Sequence, residues 1–418
     1  MLVGDPHDVT TRHSASAYPW QCQAGLPAAG VALGLDHLAG GVTFCYDPSE
    51  LYARQIVSDA NMMVLGRVGR GKSAFTKSYL ARRLLTGAVA HVLDPKREYA
   101  GLAEACGLCV IPLVPGTGGA RLNPLDAGPS GLTEPHRLRH ERLVMLSALL
   151  GSGLGREPTA AERACLAQAL DAATVARPSP LIADVVEVML APTARLAAAI
   201  GMTRQRFAEA ASEAALALQR LLTGDLAGMF DGPTEVDVDW SKGAVWDLHE
   251  VFGTAALGPA MVCVGQWLAN SLMRNKSHQV VLVLDEVWAI LRLVAVTRWL
   301  QSVAKLSRTF GVQLVCVLHR LGDLTAQGDA GSEAAQQALS LLGDIATRVV
   351  FAQPESERER LTELLGLTGA EVALVGRLAR GRALWKLGAR TAVVEHVITP
   401  FEAGFCDTDQ AMRRGLAR

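Results

Sequence analysis

Residues 66–73, Gly-Arg-Val-Gly-Arg-Gly-Lys-Ser, match the phosphate-loop pattern G-x-x-x-x-G-K-[ST] at every fixed position. The apolar stretch Met62–Leu65 precedes them and predicts a short strand. After them, apolar side chains recur at helical spacing until Gly87, which predicts a helix. A strand, a glycine-rich loop and a helix in this order form the structural context in which the pattern binds nucleotide phosphates. The motif therefore predicts an α/β fold built around a nucleotide site.

The residue types in this loop suit the chemistry of phosphate binding. Glycines allow consecutive backbone N–H groups to face an anion, and the start of the helix adds the positive end of its dipole. Lys72 can reach the terminal phosphates, and the Ser73 hydroxyl can coordinate Mg²⁺. The alternative is a glycine turn that merely precedes Lys-Ser, which the flanking strand and helix disfavour. We predict that the nucleotide is held by Gly66, Arg67, Val68, Gly69, Arg70, Gly71, Lys72, Ser73 and Ala74.

A second landmark is the apolar run at residues 279–284, Gln-Val-Val-Leu-Val-Leu, which ends in Asp285 and Glu286. Unbroken runs of this kind are typical of strands buried on both faces of a parallel sheet. The carboxyl end of such a strand is where an open α/β sheet binds its ligands. We predict that Asp285 coordinates Mg²⁺ and that Glu286 orients or deprotonates the attacking water. The alternative, a strand that simply ends in acids, is disfavoured by the phosphate loop, and the pair indicates nucleotide hydrolysis.

Composition limits the choice of partners and compartment. The formal net charge of −1 over 418 residues gives no general attraction to nucleic acid, so any contact with DNA requires a local basic patch. The eight cysteines are scattered, and the one close pair, Cys106 and Cys109, lacks further ligands at zinc spacing, so we expect two small buried residues in a reducing cytosol. The N-terminus has no apolar signal block, and glycine, proline and polar residues interrupt the most membrane-like window, 255–273. We expect a cytoplasmic protein without a transmembrane segment.

The pattern of elements changes along the chain. Strand signals vanish between residues 133 and 224, where helix starts such as the capping-box sequence Thr159-Ala160-Ala161-Glu162 recur. Alternating apolar residues around glycine turns predict short β-hairpins near both ends of the chain. The predicted organisation is a loose tail at 1–24, a β-hairpin segment at 25–60, an α/β core at 61–132 and 225–418 with a mostly parallel sheet, and an all-helical insertion at 133–224.

Several stretches together resemble one protein family. They are Asp94-Pro95-Lys96-Arg97-Glu98-Tyr99, with Arg97 in place of the family's usual glycine, and residues 122–126, 229–233, 284–288, 305–308, 319–324 and 407–409. This ordered set resembles the HerA/FtsK superfamily of ATPases and, more narrowly, the VirB-type cytoplasmic ATPases of conjugation and type IV secretion. The resemblance covers about residues 25–412. It implies a RecA-like core that binds ATP and Mg²⁺ and assembles as a homohexamer.

The resemblance also suggests roles for residues outside the two main motifs. His319 directly follows a predicted strand, where RecA-like motors hold a polar sensor of the γ-phosphate; an equally good interpretation is a histidine that caps the strand. Such a hexamer completes its site with an arginine from the neighbouring subunit. Arg308, Arg320 and Arg348 each flank a predicted core strand, and the Lys-x-x-Arg placement favours Arg308.

Three functions are compatible with these motifs. The favoured hypothesis is an ATP-hydrolysing motor subunit that powers conjugative DNA transfer or type IV secretion-like transport, and that reaches the inner face of the cell membrane through partner proteins. The alternative is a DNA translocase of the FtsK or HerA kind that acts directly on duplex DNA. A nucleotide-binding scaffold without turnover is disfavoured by the intact set Lys72, Ser73, Asp285 and Glu286.

Overall fold

A computed structural model of the chain describes residues 26–116, 118–126, 134–224, 226–236, 238–239, 241–274, 279–291, 297, 300–301, 304, 311–324 and 333–406. The predicted tail at 1–24, the candidate Arg308 and the segment 407–409 lie outside these residues.

The strands are β1 (Val31–Asp36), β2 (Val42–Tyr46), β3 (Met62–Leu65), β4 (Val89–Asp94), β5 (Cys109–Pro112), β6 (Gly243–Asp247), β7 (Val280–Leu284), β8 (Val312–Leu318), β9 (Thr347–Phe351), β10 (Arg382–Leu387) and β11 (Arg390–His396). The described α-helices are α1 (Pro48–Ala53), α2 (Lys72–Leu85), α3 (Ala100–Cys106), α4 (Pro135–Leu154), α5 (Ala160–Ala176), α6 (Ile182–Leu190), α7 (Ala194–Ala198), α8 (Arg204–Thr223), α9 (Leu257–Arg274), α10 (Val287–Ile290), α11 (Glu333–Gly343), α12 (Arg358–Leu365), α13 (Gly369–Arg377) and α14 (Pro400–Cys406). None of them is long and apolar enough to cross a membrane.

The chain forms two compact units. Unit 1 contains residues 1–88, 286–288 and 307–418, and unit 2 contains residues 89–285 and 289–306. Helices α4 to α8 therefore belong to the same unit as strands β4 to β7. The predicted boundaries of the helical insertion, at residues 133 and 224, stay predictions.

In unit 1 the strands lie in the order β2-β1-β11-β10-β9-β3-β8. Strand β3 pairs in parallel with both β8 and β9, and its four residues are all buried. The outer strands pair antiparallel: β1 with β2 and β10 with β11 form hairpins, and β1 also pairs with β11. The predicted hairpins near both ends of the chain are confirmed. Because β3 lies between β8 and β9, the phosphate loop that follows it begins between two parallel neighbours.

Helix α14 packs on α2, the helix that follows the phosphate loop. The Glu402 carboxylate accepts hydrogen bonds from the Ser78 hydroxyl at 2.9 Å and from the Arg82 guanidinium at 2.7 Å. Phe75, one turn before Ser78 on α2, contacts the ring of Trp385 on β10, with centroids 5.6 Å apart. Helix α2 is therefore fixed to the sheet by aromatic packing and to the C-terminal helix by charge-assisted hydrogen bonds.

In unit 2 the strands lie in the order β7-β4-β6-β5, and every pairing is parallel. Strands β4, β6 and β7 are buried at every residue, which explains why their sequences are largely apolar and do not alternate with polar residues. Strand β5 has only β6 as a neighbour in this unit. Cys109 lies on this strand and Cys106 at the end of α3. Both are half-buried, so the prediction that both are buried residues is wrong.

Five helices occupy residues 135–223, as expected for an all-helical segment. The capping box predicted at the start of α5 is present: Thr159 Oγ1 accepts from the Glu162 N–H, and the Glu162 carboxylate accepts from the Thr159 N–H. The segment 122–126 anchors this region. Asn123 donates to the Pro180 carbonyl at 3.0 Å, and Ser179 donates to Asp126 at 2.6 Å. This part of the family resemblance therefore has a structural role in unit 2.

Candidate nucleotide-binding site

The phosphate loop joins the end of β3 to the start of α2. Gly69 and Gly71 have φ angles of 77° and 105°, a left-handed conformation that residues with a Cβ rarely adopt. Gly71 is the N-cap residue of α2 and supplies no side-chain cap to it. The first N–H groups of α2 thus begin at a glycine, which is the arrangement that binds anions in phosphate loops.

The phosphate loop packs closely against Phe351 and Gly381. A Cβ atom built on Gly66 would lie 2.8 Å from Cβ of Phe351 at the end of β9, and one on Gly71 would lie 3.2 Å from the Gly381 nitrogen. The Gly381 N–H also donates to the Arg70 carbonyl at 3.0 Å. Glycine is therefore required at position 66 by close packing and at position 71 by backbone conformation.

Lys72 and Ser73 occupy the first turn of α2, where the sequence places the phosphate and magnesium ligands. Lys72 is buried and Ser73 is half-buried. The loop glycines, the helix start and these two side chains together fit a polyphosphate with a bound Mg²⁺.

Glu286, an acidic residue of unit 1, is constrained in both its backbone and its side chain. Its φ angle is 50°, and left-handed backbone of this kind costs a non-glycine residue on the order of 1–3 kcal/mol. Its side chain is buried and both carboxylate oxygens are engaged. Oε1 lies 2.5 Å from Nε2 of His319, and Oε2 accepts a hydrogen bond of 2.5 Å from the indole nitrogen of Trp288.

His319 connects Glu286 to the strand beside the phosphate loop. It directly follows β8, whose last residue, Leu318, is in register with Leu65, and the Leu318 carbonyl accepts from the Gly66 N–H at 3.2 Å. Within unit 1 the structure thus brings His319 and Glu286 to the sheet edge from which the phosphate loop emerges. The contact with Glu286 is additional to both roles predicted for His319, and its role as a sensor stays a prediction.

Gln353 is a polar residue of this edge that the sequence analysis missed. It follows β9, the other neighbour of β3, and its amide nitrogen donates to the His319 carbonyl at 3.1 Å. The side chain is buried, and its Oε1 atom has no hydrogen-bond partner among the described residues. A polar residue two positions after the apolar strand Thr347–Phe351 was the available sequence signal.

Asp285 lies in unit 2, at the end of β7. It is buried, and its N–H donates to the Leu93 carbonyl of β4 at 3.2 Å. Burial, followed by the nearby carboxylates of Asp285 and Asp94, raises the pKa of Tyr99 well above its usual value. Tyr99 therefore stays a neutral phenol close to Asp285.

The segment 94–99 forms the turn that places Tyr99. The Asp94 carboxylate accepts three backbone hydrogen bonds, from Lys96 and Glu98 at 3.1 Å and from Tyr99 at 2.9 Å. Burial nevertheless raises the pKa of Asp94, because desolvation outweighs these hydrogen bonds. Asp94 acts here as the residue that caps the turn.

The backbone conformation of Arg97 explains why the family that the sequence resembles usually has a glycine at this position. Its φ angle is 58°, in the left-handed region, and its guanidinium contacts Asp247 at 2.7 Å and Glu250 at 3.0 Å. The turn thus keeps a glycine-like backbone although the side chain is large and charged.

The three candidate arginines have different surroundings. Arg348 is near the start of β9, away from the phosphate-loop end of the sheet, and donates to the carbonyls of Gly343 at 2.9 Å and Leu365 at 3.0 Å. These carbonyls lie at the ends of α11 and α12, so Arg348 caps two helices. Arg320 is exposed directly after His319, and Arg308 is outside the described residues.

The described part of the chain contains no group of three or more histidine, cysteine, aspartate or glutamate side chains that could hold a metal ion. Magnesium bound with a nucleotide usually takes one or two protein ligands and completes its shell with phosphate oxygens and water. The pair predicted for Mg²⁺, Ser73 and Asp285, is of that kind.

Comparisons with known proteins establish the fold. No family model matches the chain, and no curated protein sequence is significantly similar to it. The structure is similar to VirB4 of Thermoanaerobacter pseudethanolicus, with a TM-score of 0.72 and 22% identity over 91% of this chain and 100% of that chain. It is also similar to the bacterial conjugative coupling protein TrwBΔN70, with a TM-score of 0.59 and 15% identity over 90% of each chain.

A TrwB structure in complex with ADP and Mg²⁺ is a further similar fold, with a TM-score of 0.55 and 16% identity over 82% of this chain and 86% of that chain. The chain therefore has the RecA-like α/β fold of these proteins, with a mostly parallel central sheet, an all-helical insertion and short β-hairpins at both ends. The fold that the sequence resemblance implied is confirmed.

Proposed function

We propose that the protein is an ATP-hydrolysing motor subunit that powers conjugative DNA transfer or type IV secretion-like transport. The observation that carries the proposal is the edge of unit 1 where the phosphate loop, His319 and Glu286 meet. The shared fold with VirB4 and the conjugative coupling protein TrwB supports the biological role, and the TrwB complex with ADP and Mg²⁺ supports the choice of ligands.

Each site residue has a proposed role in hydrolysis. The loop from Gly66 to Ala74 binds the phosphates through its backbone N–H groups, and Lys72 neutralises charge on the terminal phosphates. Ser73 and Asp285 coordinate Mg²⁺. Bound Mg²⁺ and ATP supply the electrophilic γ-phosphate and its charge neutralisation. Glu286 accepts a proton from the attacking water, and His319 responds to the γ-phosphate.

The working assembly is proposed to be a homohexamer. In that assembly an arginine of one subunit completes the site of the next, and Arg308 is the favoured candidate. The proposed location is the cytoplasm, at the inner face of the cell membrane, through membrane-associated transfer or secretion machinery. The second candidate function, a translocase that acts directly on duplex DNA, is less favoured because the net charge of −1 provides no general attraction to DNA.

The decisive experiment is steady-state ATP hydrolysis by the purified protein, with native mass measured in parallel. We expect magnesium-dependent turnover that Glu286→Gln lowers by about 10²- to 10⁴-fold, the usual contribution of a general base, without loss of binding to a non-hydrolysable ATP analogue. Lys72→Ala should weaken binding of that analogue. If Glu286→Gln still hydrolyses ATP at the rate of the unaltered protein, Glu286 is not the general base. Strong, salt-sensitive stimulation by duplex DNA would favour the translocase.

A further inference from the structure

We propose that Trp288 is a positioning residue for hydrolysis, which holds the Glu286 carboxylate in its proton-accepting orientation by an indole N–H hydrogen bond. The inference rests on the proposed function and assigns a new residue to the same site. It concerns residues of unit 1 only.

The two contacts on Glu286 are complementary. The Trp288 indole nitrogen contacts Oε2 and the His319 imidazole contacts Oε1, each at 2.5 Å. Hydrogen bonds to a charged acceptor are short and strong, and two of them on different oxygens fix the plane of the carboxylate. A carboxylate has about four lone-pair positions, so it can accept from more than two donors at once. The pair therefore fixes the orientation of Glu286 without blocking its function.

Trp288 differs from His319 in what it can do chemically. An imidazole nitrogen either donates or accepts, depending on its protonation state, whereas an indole nitrogen only donates. The bond from Trp288 thus requires a lone pair on Oε2 and favours the form of Glu286 that can accept a proton. His319 alone does not impose this requirement.

The backbone explains why this contact is local and specific. Trp288 lies in the first turn of α10, two residues after Glu286, and the left-handed conformation of Glu286 precedes that turn. The short connection returns the indole to the carboxylate of its own turn. The Trp288 ring is half-buried, so a smaller ring at this position loses less packing than it would at a fully buried one. The effect of losing the N–H group can therefore be separated from the effect of losing packing.

The first test is Trp288→Phe, which removes the donor and retains an aromatic ring. We expect kcat for ATP hydrolysis to fall about 10- to 100-fold, a part of what a general base contributes, while KM and the Kd of a non-hydrolysable ATP analogue stay within about twofold. Where this variant does not fold, replacement of Trp288 by benzothienylalanine, which has the shape of tryptophan without its N–H, gives the same comparison.

The matched control is Trp246→Phe. Trp246 lies on β6 in unit 2, and its buried indole nitrogen has no hydrogen-bond partner in the described part of the chain. The same chemical change there should leave kcat within about twofold. An equal loss of kcat in Trp246→Phe and Trp288→Phe would attribute the effect to general destabilisation and overturn the inference.

A double-mutant cycle identifies the group through which Trp288 acts. If it acts by orienting Glu286, then Trp288→Phe added to Glu286→Gln should change the residual rate by less than about twofold. The same loss in both backgrounds, or normal kcat in Trp288→Phe, would overturn the inference and leave the proposed function intact. If the unaltered protein hydrolyses ATP no faster than Lys72→Ala does, both the inference about Trp288 and the proposed function are overturned.

Discussion

His91 should make the stability of unit 2 depend on pH in a mildly acidic range. It lies in the middle of β4, in register with Leu282 of β7 and Ala244 of β6, and it is 2% exposed. Desolvation by burial lowers the pKa of His91 from 6.5 to about 3. The imidazole of His91 is therefore neutral in the native state at neutral and mildly acidic pH.

The sign follows from proton uptake. Below about pH 6.5 the unfolded chain binds a proton at His91 and the folded chain does not, so stability is complete above this pH and is lost as the pH falls towards 3. Each pH unit costs about 1.4 kcal/mol, which amounts to about 2 kcal/mol at pH 5. Glu162, whose pKa is lowered to about 2, loses its contribution only below about pH 4.5. The interval from pH 6.5 to 5 therefore lies above the range in which Glu162 loses its contribution.

The assay is urea unfolding followed by tryptophan fluorescence at pH 6.5, 6, 5.5 and 5, on the unaltered protein and on His91→Gln. The observable is the difference between the two slopes, because the constant cost of the substitution cancels. The pKa of His396 is also lowered to about 3, and its contribution is common to both proteins. We expect His91→Gln to have the shallower slope, by about 1.4 kcal/mol per pH unit.

The control is His136→Gln, at an exposed histidine of α4. Parallel curves for the unaltered protein and His91→Gln would show that the buried imidazole is protonated in the folded state. That result would refute the desolvation argument.

Two further predictions concern other polar residues. Arg97→Gly should be more stable to urea than Arg97→Ala by about 1 kcal/mol, because both variants lose the guanidinium and only glycine relieves the left-handed backbone. Equal stability of the two variants would contradict this account. Arg348→Met should lower the free energy of unfolding by about 2–3 kcal/mol, since it removes the hydrogen bonds that cap α11 and α12, and ATP hydrolysis at 25 °C should be unchanged. Normal stability with lost hydrolysis would instead favour a role of Arg348 in the active site.

Local patterns in the sequence were sufficient to predict the strands that precede the phosphate loop and Asp285. The run before Gly66 and the run before Asp285 are continuous apolar stretches, and both are strands buried at every residue. The two terminal hairpins follow from alternation around glycine turns, which is also local information. The partial exposure of Cys109 was not predicted because the position of β5 at the edge of its unit depends on strand order, which a local pattern does not contain.

The contacts around Glu286 could not be predicted for a related reason. His319 and Glu286 are distant in sequence, and Gln353 reaches the His319 backbone because β8 and β9 both flank β3. Parallel neighbours are set by long crossover connections, so the sequence gives no direct indication of their order. The contact of Trp288 with Glu286 is close in sequence, but it depends on a left-handed conformation that no sequence rule assigns to glutamate.

Backbone strain separates two kinds of constraint in this chain. Among the described residues, the non-glycine residues with positive φ are Gln55, Arg97 and Glu286. A glycine would relieve the strain at each, and at Arg97 that replacement removes only contacts to Asp247 and Glu250. At Glu286 it would remove a carboxylate that two donors hold at 2.5 Å. Strain persists only where surrounding contacts outweigh it, so its coincidence with a buried carboxylate that two side chains contact supports the assignment of the chemistry to Glu286.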